Sequence, residues 1–350
     1  MSQETGPATN PTEQVASFSG GPSGFKARLI TLLYTMPAIV PLFVLLLAVA
    51  IFGILLGDRF LSPFALTLIL QQVAIIGIVA MAQAIVILTA GIDLSVGAVM
   101  ILSSVVMGKF SVDLGLPQEV AILCGLLCGM LCGFISGVLV AVVKLPPFIV
   151  TLGMWQIVLA TNFLYSRSEV IRSQIIAAEA PLLQFFGRTI SFGGANFTYG
   201  VIFMFLLVLV LTYALAHTAW GRHVYAVGDD PAAAELSGVN VTRTLISVYT
   251  LAGLICAFAG WVLIGRIGSV SPQSGQFANI ESITAVVIGG ISLFGGRGSV
   301  AGALFGALIV GVFTLGLRLL GLDVQWTYLL IGLLIIFAVT LDQRIRKAAA

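Results

Sequence analysis

The sequence predicts an all-α membrane protein of about ten transmembrane helices, with broken or re-entrant segments among them and both termini in the cytoplasm. Three observations predict it. Of 350 residues, 59% are hydrophobic and 9% charged, with a mean hydropathy of +1.13, where a soluble domain has about 25% charged residues. Apolar runs long enough for a hydrocarbon core of about 30 Å recur along almost the whole chain. The basic residues divide nine to the inside and seven to the outside when the amino terminus is placed in the cytoplasm, and they cluster at both ends, as the positive-inside rule asks. With 16 Lys+Arg against 14 Asp+Glu, there is no concentrated basic surface for a nucleic acid.

Residues 1–29 read as a disordered cytoplasmic tail rich in Gly, Pro, Ser and Thr; the first 25 carry no Lys or Arg and so lack the basic region of a cleaved signal peptide. Lys26 and Arg28 then precede an apolar run at 34–57, expected to insert as a signal anchor. Further spans follow at 65–89, 94–109, 118–143, 147–165, 198–217, 244–266, 282–294, 298–320 and 324–342, giving one polytopic domain over 30–343. A basic cytoplasmic tail, 344–350, holds Arg344, Arg346 and Lys347.

Within 118–143, Gly125, Gly129, Gly133 and Gly137 stand four apart and form one helical stripe. Small residues let membrane helices approach closely, so the stripe predicts a tightly packed bundle or a subunit interface. Gly298, Gly302 and Gly306 repeat the device. Two spans are short: 94–109 reaches only about 24 Å and 282–294 about 20 Å. Each abuts a glycine-bearing break, Ala90–Asp93 before the first and Gly295–Gly298 after the second. One such segment in each half of a chain points to a transport pathway.

Cys124, Cys128, Cys132 and Cys256 lie in apolar stretches and read as packing residues. Neither His217 nor His223 stands at metal-ligand spacing from them. The exterior stretch 166–197 is too polar to span and could present a docking surface. In the interior stretch 218–243, Asp230 is placed to cap a helix, Pro231 suits its first position, Ala232, Ala233 and Ala234 propagate it, Glu235, Leu236 and Ser237 complete it, and Gly238 offers a left-handed stop. A helix of about seven residues is not stable alone in water, so it must dock on its own bundle or on a partner.

Four stretches now carry a family resemblance: Thr89–Gly97, Leu145–Gly153, Gly221–Gly238 and Ile288–Gly298. In this order they resemble the signatures of bacterial sugar ABC transporter permeases of the ribose/xylose type, with Ala90 standing where glycine is usual. The resemblance implies an inner-membrane permease subunit that dimerises with a second copy, receives a monosaccharide from a periplasmic sugar-binding protein and is driven by a cytoplasmic ABC ATPase. It maps the ATPase-coupling helix onto Asp229 to Gly238. No cofactor or metal is implied.

The residues themselves leave alternatives. The chain has no Gly-x-x-x-x-Gly-Lys-Ser/Thr phosphate loop, so a primary transporter would need its ATPase elsewhere. An ion-coupled secondary transporter usually holds several ionisable groups within the membrane, and only Asp93 lies well inside the apolar map. A membrane enzyme would need catalytic groups that converge. A sugar pathway needs hydroxyl-bonding groups and aromatic faces, and its candidates are Gln72, Asp93, Ser95, Phe148, Thr151, Trp155, Gln156 and Asn162. Asp93 either caps a helix beginning at Leu94 or acts by its charge, on sugar hydroxyls or on a cation such as Arg297.

Overall fold

A computed structural model describes residues 38–349, the side chains at 324, 341, 342 and 344–349 excepted. The predicted tail, with Lys26 and Arg28, and the side chains of Arg344, Arg346 and Lys347 lie outside the described residues. Helix α1 (Ile39–Leu56) leads through a single turn, α2 (Asp58–Leu61), into α3 (Pro63–Leu88). Ser62 starts α3 by accepting from the Ala65 N–H (3.2 Å), and Pro63, which has no N–H to satisfy, takes the first position. Then come α4 (Val96–Val112), α5 (Gln118–Ala141), α6 (Pro147–Ser166), α7 (Ser173–Glu179), a 3₁₀ turn, strands β1 (Thr189–Phe192) and β2 (Ala195–Thr198), α8 (Tyr199–His217), α9 (Ala219–Asp229), α10 (Pro231–Leu236), α11 (Val241–Ile267), α12 (Ala278–Ile288), α13 (Val300–Leu319) and α14 (Val324–Ala349).

Seven of the described helices are long and apolar enough to cross a membrane: α1, α3, α5, α6, α8, α11 and α13. The expected ten spans reduce to these seven plus three shorter apolar stretches, α4, α12 and 325–340 of α14. Several boundaries differ from expectation: α14 continues past the expected end at 342 to Ala349, taking in most of the expected tail, and the two short segments shift. The segment expected at 94–109 is helical over Val96–Val112, and that expected at 282–294 over Ala278–Ile288. Gly290 (φ +76°) stops α12 there, and Gly295 (φ +82°) and Gly296 (φ +70°) fold the rest into turns.

The glycine stripe of α5 packs inside this one chain, Gly125 on α4 and Gly129, Gly133 and Gly137 on α11. A Cβ on Gly129 would meet the Gly253 carbonyl at 2.7 Å, and one on Gly133 would overlap the Tyr249 carbonyl. Gly302 and Gly306 of α13 press likewise on Gly289 and Ala285. Close backbone approach is what such stripes supply where lipid competes equally for larger apolar groups. The second half of α3 is buried from Val73 to Leu88 except at Ile76, and Gln83 is the one strongly polar side chain in that stretch.

At one end of the bundle, residues 166–198 fold into α7, the 3₁₀ turn and the β1–β2 hairpin, which turns on Gly193 and Gly194, both at positive φ. These two strands are the departure from an all-α chain. The loop is tied down by Gln71 Nε2 donating to the Asn196 carbonyl (2.6 Å), Gln184 Nε2 to Gly268 (2.9 Å) and a bridge between Ile171 and Val270. The opposite end carries α9 and α10.

Candidate translocation site at two broken helices

Beyond Leu88 the chain reverses through Ala90 at φ +59°, a left-handed conformation uncommon outside glycine, and runs back into the bundle to Val96. The Gln83 carboxamide meets this returning segment with both its groups, donating to the Asp93 carbonyl (2.8 Å) and accepting from the Asp93 N–H (3.3 Å). Gln83 lies five residues before the end of α3, about 7.5 Å along its axis, so Asp93 has returned to that depth. Thr151 of α6 holds the segment from the other side by donating to the Ile92 carbonyl (2.9 Å). Asp93 does not cap a helix at Leu94 as expected, because α4 begins two residues later, with Ser95 at its N-cap position. Its Oδ1 instead accepts from the Ser95 N–H (2.7 Å) and the Ser95 hydroxyl (2.6 Å), so the buried carboxylate is met by Ser95 and not by Arg297.

The second break has the opposite sense. After α11 ends, residues 268–277 turn back from the hairpin end, Asn162 Nδ2 donating to the Pro272 carbonyl (3.0 Å), and α12 starts at Ala278. The first turns of α4 and α12 meet: Asn279 Nδ2 donates to the Leu94 carbonyl (3.4 Å), and a Cβ on Gly97 would stand 3.0 Å from the Asn279 nitrogen. From that meeting point α4 runs to the hairpin end and α12 to the α10 end. Neither start has a side-chain cap, so unfilled N–H groups and the positive ends of two helix dipoles converge inside the bundle.

At the α10 end, the start of the first returning segment and the turn after α12 come together on α9. The Gly296 N–H donates to the Leu88 carbonyl (3.0 Å), the Tyr225 hydroxyl donates to the Gly298 carbonyl (2.9 Å), and Gly228 packs directly against that Leu88 oxygen. Asp230 caps α10 by accepting from Ala232 N (2.9 Å) and Ala233 N (3.1 Å), and Gly238 stops it at φ +84°. The helix is six residues long; Ala234 is buried, and Leu236 is 91% exposed.

A cleft of about 180 Å³ lies between α4, α6 and the start of α12, with Trp155, Gln276, Phe277 and Asn279 in its wall. Of the expected pathway residues the structure brings only Trp155 there. Thr151, Asp93 and Ser95 are buried and hold the first returning segment, and Asn162 holds the second. Gln72 stands apart on α3, half-buried, and Phe148 and Gln156 point outward from α6.

A family model described as branched-chain amino acid transport system, permease component, matches residues 65–339. The chain is 66% identical over 336 residues to the fructose import permease FrcC of Rhizobium meliloti, covering 96% of this chain and 93% of that one. The chain belongs to the sugar ABC permease family. It is also 39% identical to the ribose import permease RbsC of Bacillus subtilis (87% of this chain, 91% of that one) and 33% identical to the galactose/methyl galactoside import permease MglC of Escherichia coli (85% and 90%). No solved structure matches the chain. Sequence reasoning about this permease missed Gln276, Phe277 and Asn279, because a span drawn from 282 leaves them in an exterior loop. The signal was Gly275, which at φ +77° ends the returning segment.

Proposed function

We propose that this chain is the membrane permease subunit of an ATP-driven, binding-protein-dependent monosaccharide importer, with fructose as cargo. The observation that carries the transport reading is the pair of short helices of opposite direction, α4 of 17 residues and α12 of 11, whose N-termini meet inside the bundle, an arrangement transporters place at the substrate path. Fructose rests on the 66% identity to a fructose import permease. In this reading ten membrane segments, α4 and α12 included, put both termini and α10 in the cytoplasm of a bacterial inner membrane. A periplasmic binding protein then delivers the sugar at the hairpin end, and a second copy completes the path. Reconstituted with a cognate ATPase and binding protein, the permease takes up labelled fructose in proportion to ATP hydrolysed and hydrolyses none alone. Uptake by the lone chain in liposomes under a proton or sodium gradient would establish the ion-coupled alternative instead.

The ATPase docks, in this reading, on Asp229 to Gly238. Support comes from Leu236, a large apolar side chain left in water at the tip of α10, and from Ala233 beside it, while Ala234 faces the chain's own bundle. Leu236→Glu is expected to abolish co-purification of the ATPase with membrane abundance unchanged. Ala234→Asp, which buries a charge against α10's own bundle, is expected to lower abundance itself. Retention of the ATPase by Leu236→Glu, measured by pull-down, removes α10 as its docking site.

A further inference from the structure

The cleft at the meeting of α4 and α12 has an unusual inventory of polar groups. Asn279 is 3% exposed, its Nδ2 makes one long bond to Leu94 O (3.4 Å), and its Oδ1 has no partner among the described residues. A buried carboxamide oxygen left unpaired costs free energy unless something else meets it. Trp155 is similar. Trp220 donates to the Ser247 hydroxyl (2.8 Å) and Trp261 to the Leu182 carbonyl (3.2 Å), whereas the Trp155 indole N–H has no acceptor among the described residues. The uncapped first turns of both half-helices add unfilled backbone N–H groups, and Gln276 adds a second carboxamide.

The wall is lined by two carboxamide residues, Gln276 and Asn279, and two aromatic ones, Trp155 and Phe277, with no ionisable side chain, and the Asn279 oxygen is itself buried and unpaired among the described residues. A cation would meet the positive ends of α4 and α12 with no carboxylate beside it, and an anion would meet those ends with no cationic side chain, so the desolvation of an ion is repaid at most in part. A purely apolar molecule would leave Asn279 unpaired. A neutral polyol fits both requirements, since each hydroxyl donates and accepts and the C–H face of a sugar ring packs on an aromatic.

We propose that this cleft is a transient binding site for the monosaccharide in transit, with Asn279 bonding its hydroxyls and Trp155 covering its apolar face. The proposal rests on the importer reading and locates the sugar within it. For the test, Ile280, which also lines the cleft and is exposed, becomes the reporter as Ile280→Cys, in a chain whose four native cysteines are replaced by alanine. Labelling by a membrane-permeant maleimide is measured on the assembled transporter, with fructose or with lactate, an anion. Fructose, and not lactate, is expected to slow labelling. Asn279→Leu, which keeps the volume and loses the carboxamide, is expected to require about tenfold more fructose for the same protection, the effect of one hydrogen bond, with ATPase association unchanged. Trp155→Phe, which removes only the N–H and part of the face, is expected to shift protection less. Labelling indifferent to fructose in a transporter that still takes up fructose overturns the site while leaving the importer intact, as does unaltered protection in a folded Asn279→Leu. Failure of the unmodified transporter to take up fructose overturns the cargo on which the proposal rests.

Discussion

Alanine at Gly228 is expected to deplete the permease from the membrane and to abolish transport by what remains. A Cβ there would overlap the Leu88 carbonyl oxygen and lie 2.7 Å from the Gly296 nitrogen, so it would drive apart the N–H···O bond between those two residues. Both obstacles are backbone and cannot rotate away. Overpacking of this kind costs about 1–3 kcal/mol, and leaving the Leu88 carbonyl without its donor costs about 1–3 kcal/mol more. Against that, Gly→Ala inside a helix gains only about 1 kcal/mol. The net loss of roughly 1–5 kcal/mol falls where α9 meets both the end of α3 and the turn after α12. Gly332→Ala in α14 is the control, because beyond the neighbouring backbone of its own helix no described atom lies within 4 Å of the Cβ it would add; its melting temperature in detergent should match the parent or exceed it slightly. Equal melting temperatures for the two variants would show that the junction yields at no cost.

The legible and the hidden parts of this fold divide by physical cause. Span positions follow from hydropathy over some twenty residues, and the glycine stripe of α5 follows from spacing four apart; both signals are contained in one helix. The capping of α10 was equally legible, because Asp230, Pro231 and Gly238 act on their own backbone. What stayed hidden depends on partners far along the chain. Asp93 reads as the cap of an adjacent helix until Gln83 and Thr151 are seen to draw residues 92–93 back into the bundle. The cleft was missed for a related reason: Gln276 and Phe277 are polar or exposed residues beside a glycine, which resembles a surface loop unless the chain is known to re-enter. Trp155, the pathway candidate that does line the cleft, was found by residue type, while Thr151 and Asn162 had the right type and a structural task.

Asparagine at Asp93 is expected to leave a folded and largely active permease, and alanine at the same position to leave very little protein. The carboxylate serves through one oxygen, Oδ1, which accepts from both the N–H and the hydroxyl of Ser95. An asparagine carbonyl oxygen can occupy the same place and accept the same two bonds. Alanine cannot, and it strands two donors that are 2% exposed as part of Ser95, each costing about 1–3 kcal/mol. The hydroxyl can turn toward another acceptor and the backbone N–H cannot, so a loss of about 2–4 kcal/mol is the reasonable sum. Were the negative charge itself required, for instance to answer the positive ends of α4 and α12, removing it while keeping the shape would silence transport without unfolding anything. Uptake and membrane abundance must therefore be measured together. An abundant, inactive Asp93→Asn assigns the residue to the path by its charge, and an active one confines it to holding the start of α4 against the returning chain.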